Sequence, residues 1–257
     1  MLRLSAHPRL RTLAAFARSA ADVAIPPGCL ACEARVDRPG TVCPDCWRSL
    51  RFIDRPYCEV LGLPFAFDLG PGALSAEAIA TRPPFQRARA ALVYEGAART
   101  LVTQLKFGDR TDLAPWMAAW MTRASLDYRP AEGDLPPILI PVPLHRRRLF
   151  ARAYNQSAEL ARALSRSTTW PHRPEWLLRV RATRTQVGLG RLARTRNVAA
   201  AFSVPERHRG DLGGRRVVLV DDVLTTGATL AACARALRRG GAAHVDCLTF
   251  ARVVTDV

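Results

Sequence analysis

The chain has 257 residues, 49% of them hydrophobic and 23% charged, which is ordinary for a protein that buries a core as one large domain or two smaller ones. No apolar run approaches the ~20 residues that span a bilayer, which excludes a membrane-spanning helix and leaves a soluble chain as the expectation. The net charge of +16, nearly all of it arginine, suits phosphorylated small molecules or nucleic acid as partners. It equally fits the arginine enrichment of a high-GC genome.

Residues 1–25 are basic, with Leu13, Phe16 and Ala20 near one face of a helix, and Pro26-Pro27 ends them. An amphipathic helix packed on the body is the favoured reading, and an organelle-targeting peptide the other. Residues 28–70 have the Cys, Gly and Pro texture of a small metal-stapled module. Cys29, Cys32, Cys43 and Cys46 form C-x2-C-x10-C-x2-C. Short CxxC turns let both sulfurs of a pair reach one ion, and four thiolates give the closed tetrahedral site of structural zinc. CxxC pairs without a secretory signal argue for a reducing compartment, so cytoplasmic localisation is expected.

Thr81–Pro84 reads as a linker, dividing the chain into 1–82, helix plus zinc module, and 83–257. In the second part Ala90–Tyr94 predicts a strand, and Ala97–Lys106 and Leu113–Arg123 have helical spacing. Ile138–Ile140 predicts a buried parallel strand, and Gln156–Leu164 a helix with Asn155 as N-cap. Residues 165–215 are polar and Arg-rich, predicting long loops and short strands. Val217–Val220 predicts a central parallel strand, Thr229–Arg239 a helix stopped by Gly240-Gly241, and Val245–Phe250 a further strand. Strands alternating with helices predict an α/β fold with a mainly parallel sheet.

The segment VVLVDDVLTTGATL, Val217–Leu230, carries the most chemistry. A buried strand runs into Asp221 and Asp222, then a turn of small residues, then a helix. In Thr225, Thr226, Gly227, Ala228 and Thr229, successive backbone N–H groups can converge on one point. The helix dipole and three hydroxyls add to that cradle for a phosphate monoester. Carboxylates beside it accept from vicinal ribose hydroxyls. Together these describe a ribose 5-phosphate site. A strand–turn–helix capped by Asp and Thr is the plainer reading, but two unpaired acids at a buried strand end are costly without a role. The Arg146–Arg148 run with Arg152 reads either as a loop that meets pyrophosphate or as a solvated basic face.

This segment resembles the phosphoribosyl-pyrophosphate (PRPP) motif of type I phosphoribosyltransferases, and the chain is similar to the ComF/GntX group of competence-related proteins. The resemblance extends to Lys106-Phe-Gly108, Ile140-Pro-Val-Pro-Leu-His145 with Arg146–Arg148, Arg152-Ala-Tyr-Asn-Gln156, and Thr183–Gln186 with Arg194, Asn197 and Phe202. It implies a type I phosphoribosyltransferase fold preceded by a small zinc ribbon. It implies PRPP with Mg2+ as ligand, and transfer of the phosphoribosyl group to a nitrogen nucleophile. It places Arg146, Arg148, Arg152, Asn155 and Gln156 on the pyrophosphate side of the cleft, and Thr183–Asn197 as a mobile hood. Three departures stand out. Ala153 replaces the glycine of the family's RGFNQ; Leu61, Ser75 and Ala78 stand where a second cysteine set is expected beside Cys58; and Thr225 stands where some relatives carry an acid. Two alternatives come from other classes: a non-enzymatic DNA-uptake factor that binds single-stranded DNA or a helicase, and a sensor of PRPP without turnover.

Overall fold

The computed structural model describes residues 27–152, 154–181 and 200–254. The expected helix over residues 1–25 and the hood segment Thr183–Asn197 lie outside the described residues. At the centre is a four-stranded parallel sheet, with β1 (Ala88–Val93), β6 (His244–Arg252), β5 (Arg216–Leu224) and β2 (Ile138–Pro141) in that order. The strands are near-continuous apolar runs because helices cover both faces. Val218 and Val220 join the layer made by α3 (Gly96–Phe107), α4 (Ala114–Ala124) and α6 (Gln156–Thr168). Val217 and Leu219 pack with Cys233 and Leu237 of α8 (Ala228–Arg239) on the other face. Between β2 and β5 in the chain, the short strands β3 (Leu178–Arg179) and β4 (Phe202–Ser203) pair antiparallel, and the short helix α7 (Arg209–Leu212) leads into β5.

Two elements differ from expectation in ways that shape the site. β5 does not end before its acids. It continues to Leu224 because β6 stays beside it, with Asp221 opposite Thr249 and Leu224 opposite Arg252. β2, its neighbour on the other side, stops at Pro141 opposite Val220. The acids therefore sit in a strand end that is paired on one side and open on the other. The Arg146–Arg148 run is not a loop but opens a short helix, α5 (Arg146–Arg152), as arginine's good helix propensity permits.

Both edges of the sheet are covered, which removes the unpaired rows that invite association. On the β1 edge, Ile53 N–H donates to the Ala91 carbonyl (3.0 Å) and Val93 N–H to that of Arg51 (2.8 Å). On the β2 edge, Leu139 N–H donates to the Pro171 carbonyl (2.8 Å) and Arg173 N–H to that of Leu139 (3.0 Å).

The cysteine-bearing segment is fastened to β1 by Arg89, whose side chain is 3% exposed. Its guanidinium donates to Asp127 (2.6 Å), to the Glu59 carboxylate (3.0 Å) and to the Glu59 carbonyl (2.9 Å). The Tyr57 hydroxyl donates to the same Asp127 carboxylate at 2.8 Å. Removing one partner of a buried ion network strands the others without compensation. Arg89→Met should cost about 3 kcal/mol in urea denaturation; an unchanged midpoint would show that the network does not fasten the two parts.

Candidate functional site

A cavity of about 360 Å3 opens at the carboxyl end of β5. Ligands of open α/β sheets bind at this end of the strands. Its wall includes Asp221 and Asp222 from β5, and Thr225, Gly227, Ala228 and Thr229 from the turn. Gly227 has φ 73°, a left-handed conformation that glycine adopts without strain, and it is the N-cap of α8. The turn thereby ends at a helix N-terminus, where free amides and the dipole favour an anion.

The two acids have different surroundings. Asp222 is 3% exposed; one carboxylate oxygen lies 2.9 Å from the Lys106 ammonium, and the other, Oδ2, is buried with no partner among the described residues. Asp221 accepts from the Ser157 hydroxyl (2.8 Å) and from the Asp222 amide (2.9 Å), both on Oδ1. Burial, then the neighbouring Asp222 charge, push the Asp221 carboxyl up to about 7, against the opposing pull of Lys106 and those two hydrogen bonds. For Lys106, burial works against the charged form, but Asp222 and then Asp221 outweigh it and hold the ammonium above its ordinary range.

Of the residues placed on the pyrophosphate side, Arg152 and Gln156 line the cavity, 3.5 Å apart. The Arg152 guanidinium lies 4.8 Å from the centre of the Phe107 ring. Asn155 does other work: its oxygen accepts from the Ser157 amide (3.1 Å) as the N-cap of α6, and its amide donates to the Val142 carbonyl (3.0 Å). Arg146 is exposed at the start of α5, Arg148 lies outside the described side chains, and Thr226 lies off the cavity wall. Sequence reasoning assigned no role to Tyr94, Thr103, Phe107, Ser157 and Arg179, which also line the wall. It quoted Lys106 only as part of a motif. Ser157 could have been found from its place directly after Gln156 at a helix start.

The four sulfurs of Cys29, Cys32, Cys43 and Cys46 lie within 4.8 Å of one another. A tetrahedral zinc with Zn–S bonds of about 2.3 Å needs sulfurs about 3.8 Å apart, so this donor set fits a structural zinc. The Ala31 and Cys43 amides donate to Cys29 Sγ at 3.4 and 3.1 Å, which favours its thiolate.

A second knuckle repeats this architecture with other chemistry. Cys58 N–H donates to the Leu63 carbonyl (2.7 Å) as Cys29 N–H does to that of Ala34 (2.7 Å). Gly62 N–H returns to the Cys58 carbonyl (2.7 Å) as Glu33 N–H does to that of Cys29 (3.0 Å), both from left-handed backbone with φ 62° and 64°. The Ser75 amide donates to Cys58 Sγ at 3.2 Å, matching the Cys43 amide on Cys29 Sγ. Cys43 caps α1 (Pro44–Arg48) with its sulfur, and Ser75 caps α2 (Ala76–Ala80) with its hydroxyl. Leu61, Ser75 and Ala78 thus occupy the three remaining ligand positions beside Cys58. They leave one sulfur, which accepts from the Ser75 amide and hydroxyl and from the Leu61 amide. That donor set does not fit a second zinc.

α3 connects the four-cysteine knuckle to the cavity. The Gln104 side chain donates to the Ala31 carbonyl (3.1 Å), inside the first CxxC turn. The Ala97 amide donates to Ser49 Oγ (3.0 Å), whose hydroxyl donates to the Cys46 carbonyl (2.8 Å). Lys106 lies in the last turn of this helix.

Residues 180–255 match the family model of the phosphoribosyl transferase domain, and residues 20–79 that of the double zinc ribbon domain. With the parallel sheet, this defines a phosphoribosyltransferase-type α/β fold behind a zinc ribbon. The DNA utilization protein YhgH of Escherichia coli K12 is 35% identical over 214 residues, 83% of this chain and 91% of that protein. Competence protein F of Haemophilus influenzae is 35% identical over 153 residues, 59% of this chain and 66% of that protein. The adenine phosphoribosyltransferase of Mycobacterium avium is 57% identical over 47 residues, 18% of this chain and 24% of that enzyme. The chain belongs to the ComF/GntX family that the first two represent. Among the described residues, no helix is long and apolar enough to cross a membrane.

The raised Asp221 carboxyl has a consequence for stability. Its ordinary value is 3.8, so between that and about 7 the folded chain holds a proton that the unfolded chain releases. The stability this contributes is complete at low pH and is lost as pH rises through about 7. Between about pH 5 and pH 8 the wild-type Tm should fall more steeply than that of Asp221→Asn. Parallel Tm profiles would show that Asp221 ionises normally in the folded protein.

Proposed function

We propose that this cavity binds PRPP, or another compound carrying ribose 5-phosphate. The supporting observation is that one cavity brings together a phosphate-type turn, two carboxylates and the cations Lys106 and Arg152. In this reading the amides of the Thr225–Thr229 turn and the hydroxyls of Thr225 and Thr229 hold the 5-phosphate, and Asp221 and Asp222 face the ribose hydroxyls. Arg152 and Gln156 lie toward the diphosphate. Mg2+ bound with PRPP would supply charge neutralisation at the leaving diphosphate. Fixing the 5-phosphate fixes C1, the carbon at which a nitrogen nucleophile would displace pyrophosphate. Such a transfer passes through an oxocarbenium-like transition state, and two carboxylates beside the ring suit that developing charge. Thr225 supplies no base at the position where some relatives carry an acid, so the role of the chain's own groups is holding and orienting.

Isothermal titration with PRPP and Mg2+ tests this reading. Gly227→Val forces a branched side chain into left-handed backbone and should abolish binding. Asp222→Asn keeps the shape but weakens acceptance from ribose, at about 1.5–3 kcal/mol, or ten- to a hundredfold in affinity. Wild-type protein that gives neither heat nor a thermal shift with millimolar PRPP would replace this reading with the DNA-uptake one. The names of the two long relatives, a DNA utilization protein and a competence protein, support that second reading, as does the +16 charge. It requires weak, salt-sensitive binding to single-stranded DNA, which a fluorescence anisotropy salt series measures.

We also propose that Cys29, Cys32, Cys43 and Cys46 hold one zinc per chain and that the second knuckle folds without metal. Metal analysis should give a stoichiometry near one, and Cys29→Ser should lose the metal and loosen the first knuckle. A value near two would mean that Cys58 and its neighbours recruit a second ion.

A further inference from the structure

The chain contains 38 basic residues, of which 37 are arginine and one is lysine. That one is Lys106, whose ammonium lies 2.9 Å from Asp222 in the cavity. Elsewhere in this chain a positive charge is supplied by arginine, as at the buried Arg89 and the knuckle-facing Arg252. Lys106 is thus the one position at which this arginine-rich chain carries an ammonium side chain.

The two cations differ in how they meet a carboxylate. An ammonium is a compact charge that can meet one carboxylate oxygen and leave the other alone. A guanidinium is a planar fork that matches both oxygens of a carboxylate at once. Asp222 is met on Oδ1 only, while Oδ2 is buried and unpartnered among the described residues. A buried carboxylate oxygen without a donor is costly, and here it belongs to a residue on the wall of a cavity large enough for a sugar.

We propose that Lys106 is a positioning residue of the ribose site, holding Oδ1 of Asp222 so that the buried, unpartnered Oδ2 is left to accept from a ribose hydroxyl, where a guanidinium forked across both oxygens would occupy it. This rests on the reading of the cavity as a ribose 5-phosphate site. It goes further by assigning the open oxygen to the sugar and by separating the sugar half of the site from the phosphate half. Lys106 does not reach into the Thr225–Thr229 turn in this scheme, so phosphate alone should bind without its help. Its placement depends on α3, which Gln104 and Ala97 tie to the zinc-binding knuckle.

The test compares inorganic phosphate with ribose 5-phosphate on the full chain, by titration calorimetry, for wild type, Lys106→Met and Lys106→Arg. Both variants should bind inorganic phosphate as wild type does and bind ribose 5-phosphate about ten- to a hundredfold more weakly, the loss of one charge-assisted hydrogen bond. Lys106→Arg binding ribose 5-phosphate like wild type would overturn the proposal, since charge alone would then suffice. Equal loss of both ligands in both variants would also overturn it, because the residue would then be serving the whole pocket. If wild type binds inorganic phosphate but not ribose 5-phosphate, the ribose-site reading itself fails, and this inference with it. A second measurement needs no variant. Lys106 and the N-terminal amine are the chain's primary amines, so trinitrobenzenesulfonate labelling followed by peptide mapping reports on Lys106 directly. Ribose 5-phosphate should protect Lys106 strongly and inorganic phosphate weakly. Full labelling of Lys106 under saturating ribose 5-phosphate would contradict the proposal.

Discussion

Two carboxylates on consecutive residues at the end of a central strand, Asp222 buried and Asp221 half-buried, carry an electrostatic cost that the surrounding structure is arranged to meet. One ammonium, one hydroxyl and one backbone amide are what Asp221 and Asp222 receive among the described residues. Three ionisable groups then share less than balanced charge, and the strain is visible in the Asp221 carboxyl, pushed up to about 7 first by burial and then by its neighbour. Asp222 Oδ2 is left without a donor among the described residues, on a residue of the cavity wall. A ligand rich in hydroxyls would supply that donor, and its phosphate would find the helix N-terminus a few residues further along the chain.

The elements that meet this cost come from both halves of the sequence. β5 brings the acids, the first turn of α6 brings Ser157, and the last turn of α3 brings Lys106. α3 is held along its length by the first knuckle, through Ser49 at its N-terminus and the Ala31 carbonyl at Gln104. The zinc ribbon is thus a brace for the helix that delivers the lysine, and loss of metal should reach the cavity by that route. The second knuckle achieves a similar backbone by other means. Gly62 sits so close to the Ala88 carbonyl, 2.4 Å from where a Cβ would be, that the turn is pressed onto β1. Arg252 at the end of β6 donates to the Leu61 carbonyl. Packing and hydrogen bonds there do what sulfur–metal bonds do in the first knuckle.

Much of this was legible in the sequence. The β5 run, the turn with Gly227, the α6 cap at Asn155 and the four clustered cysteines each carry a local signal of period, spacing or residue type. What was not legible depended on tertiary neighbours. β5 outruns its apolar stretch because β6 continues beside it. The partnership of Lys106 with Asp222 joins residues 116 positions apart and leaves no local pattern. Asn155, quoted with the site motif, spends its side chain on capping and on Val142. The second knuckle was visible as three missing cysteines, yet only the geometry shows that the fold survives their replacement.

Hydrogen–deuterium exchange at the amides of Thr225–Thr229, with and without ribose 5-phosphate, bears most directly on the claim that this turn is a phosphate cradle. Exchange at these amides should slow markedly when the ligand is present, with little change in the knuckles. Unchanged exchange across the turn, under conditions where calorimetry shows ribose 5-phosphate bound, would place the ligand elsewhere and rule out the turn as its phosphate cradle.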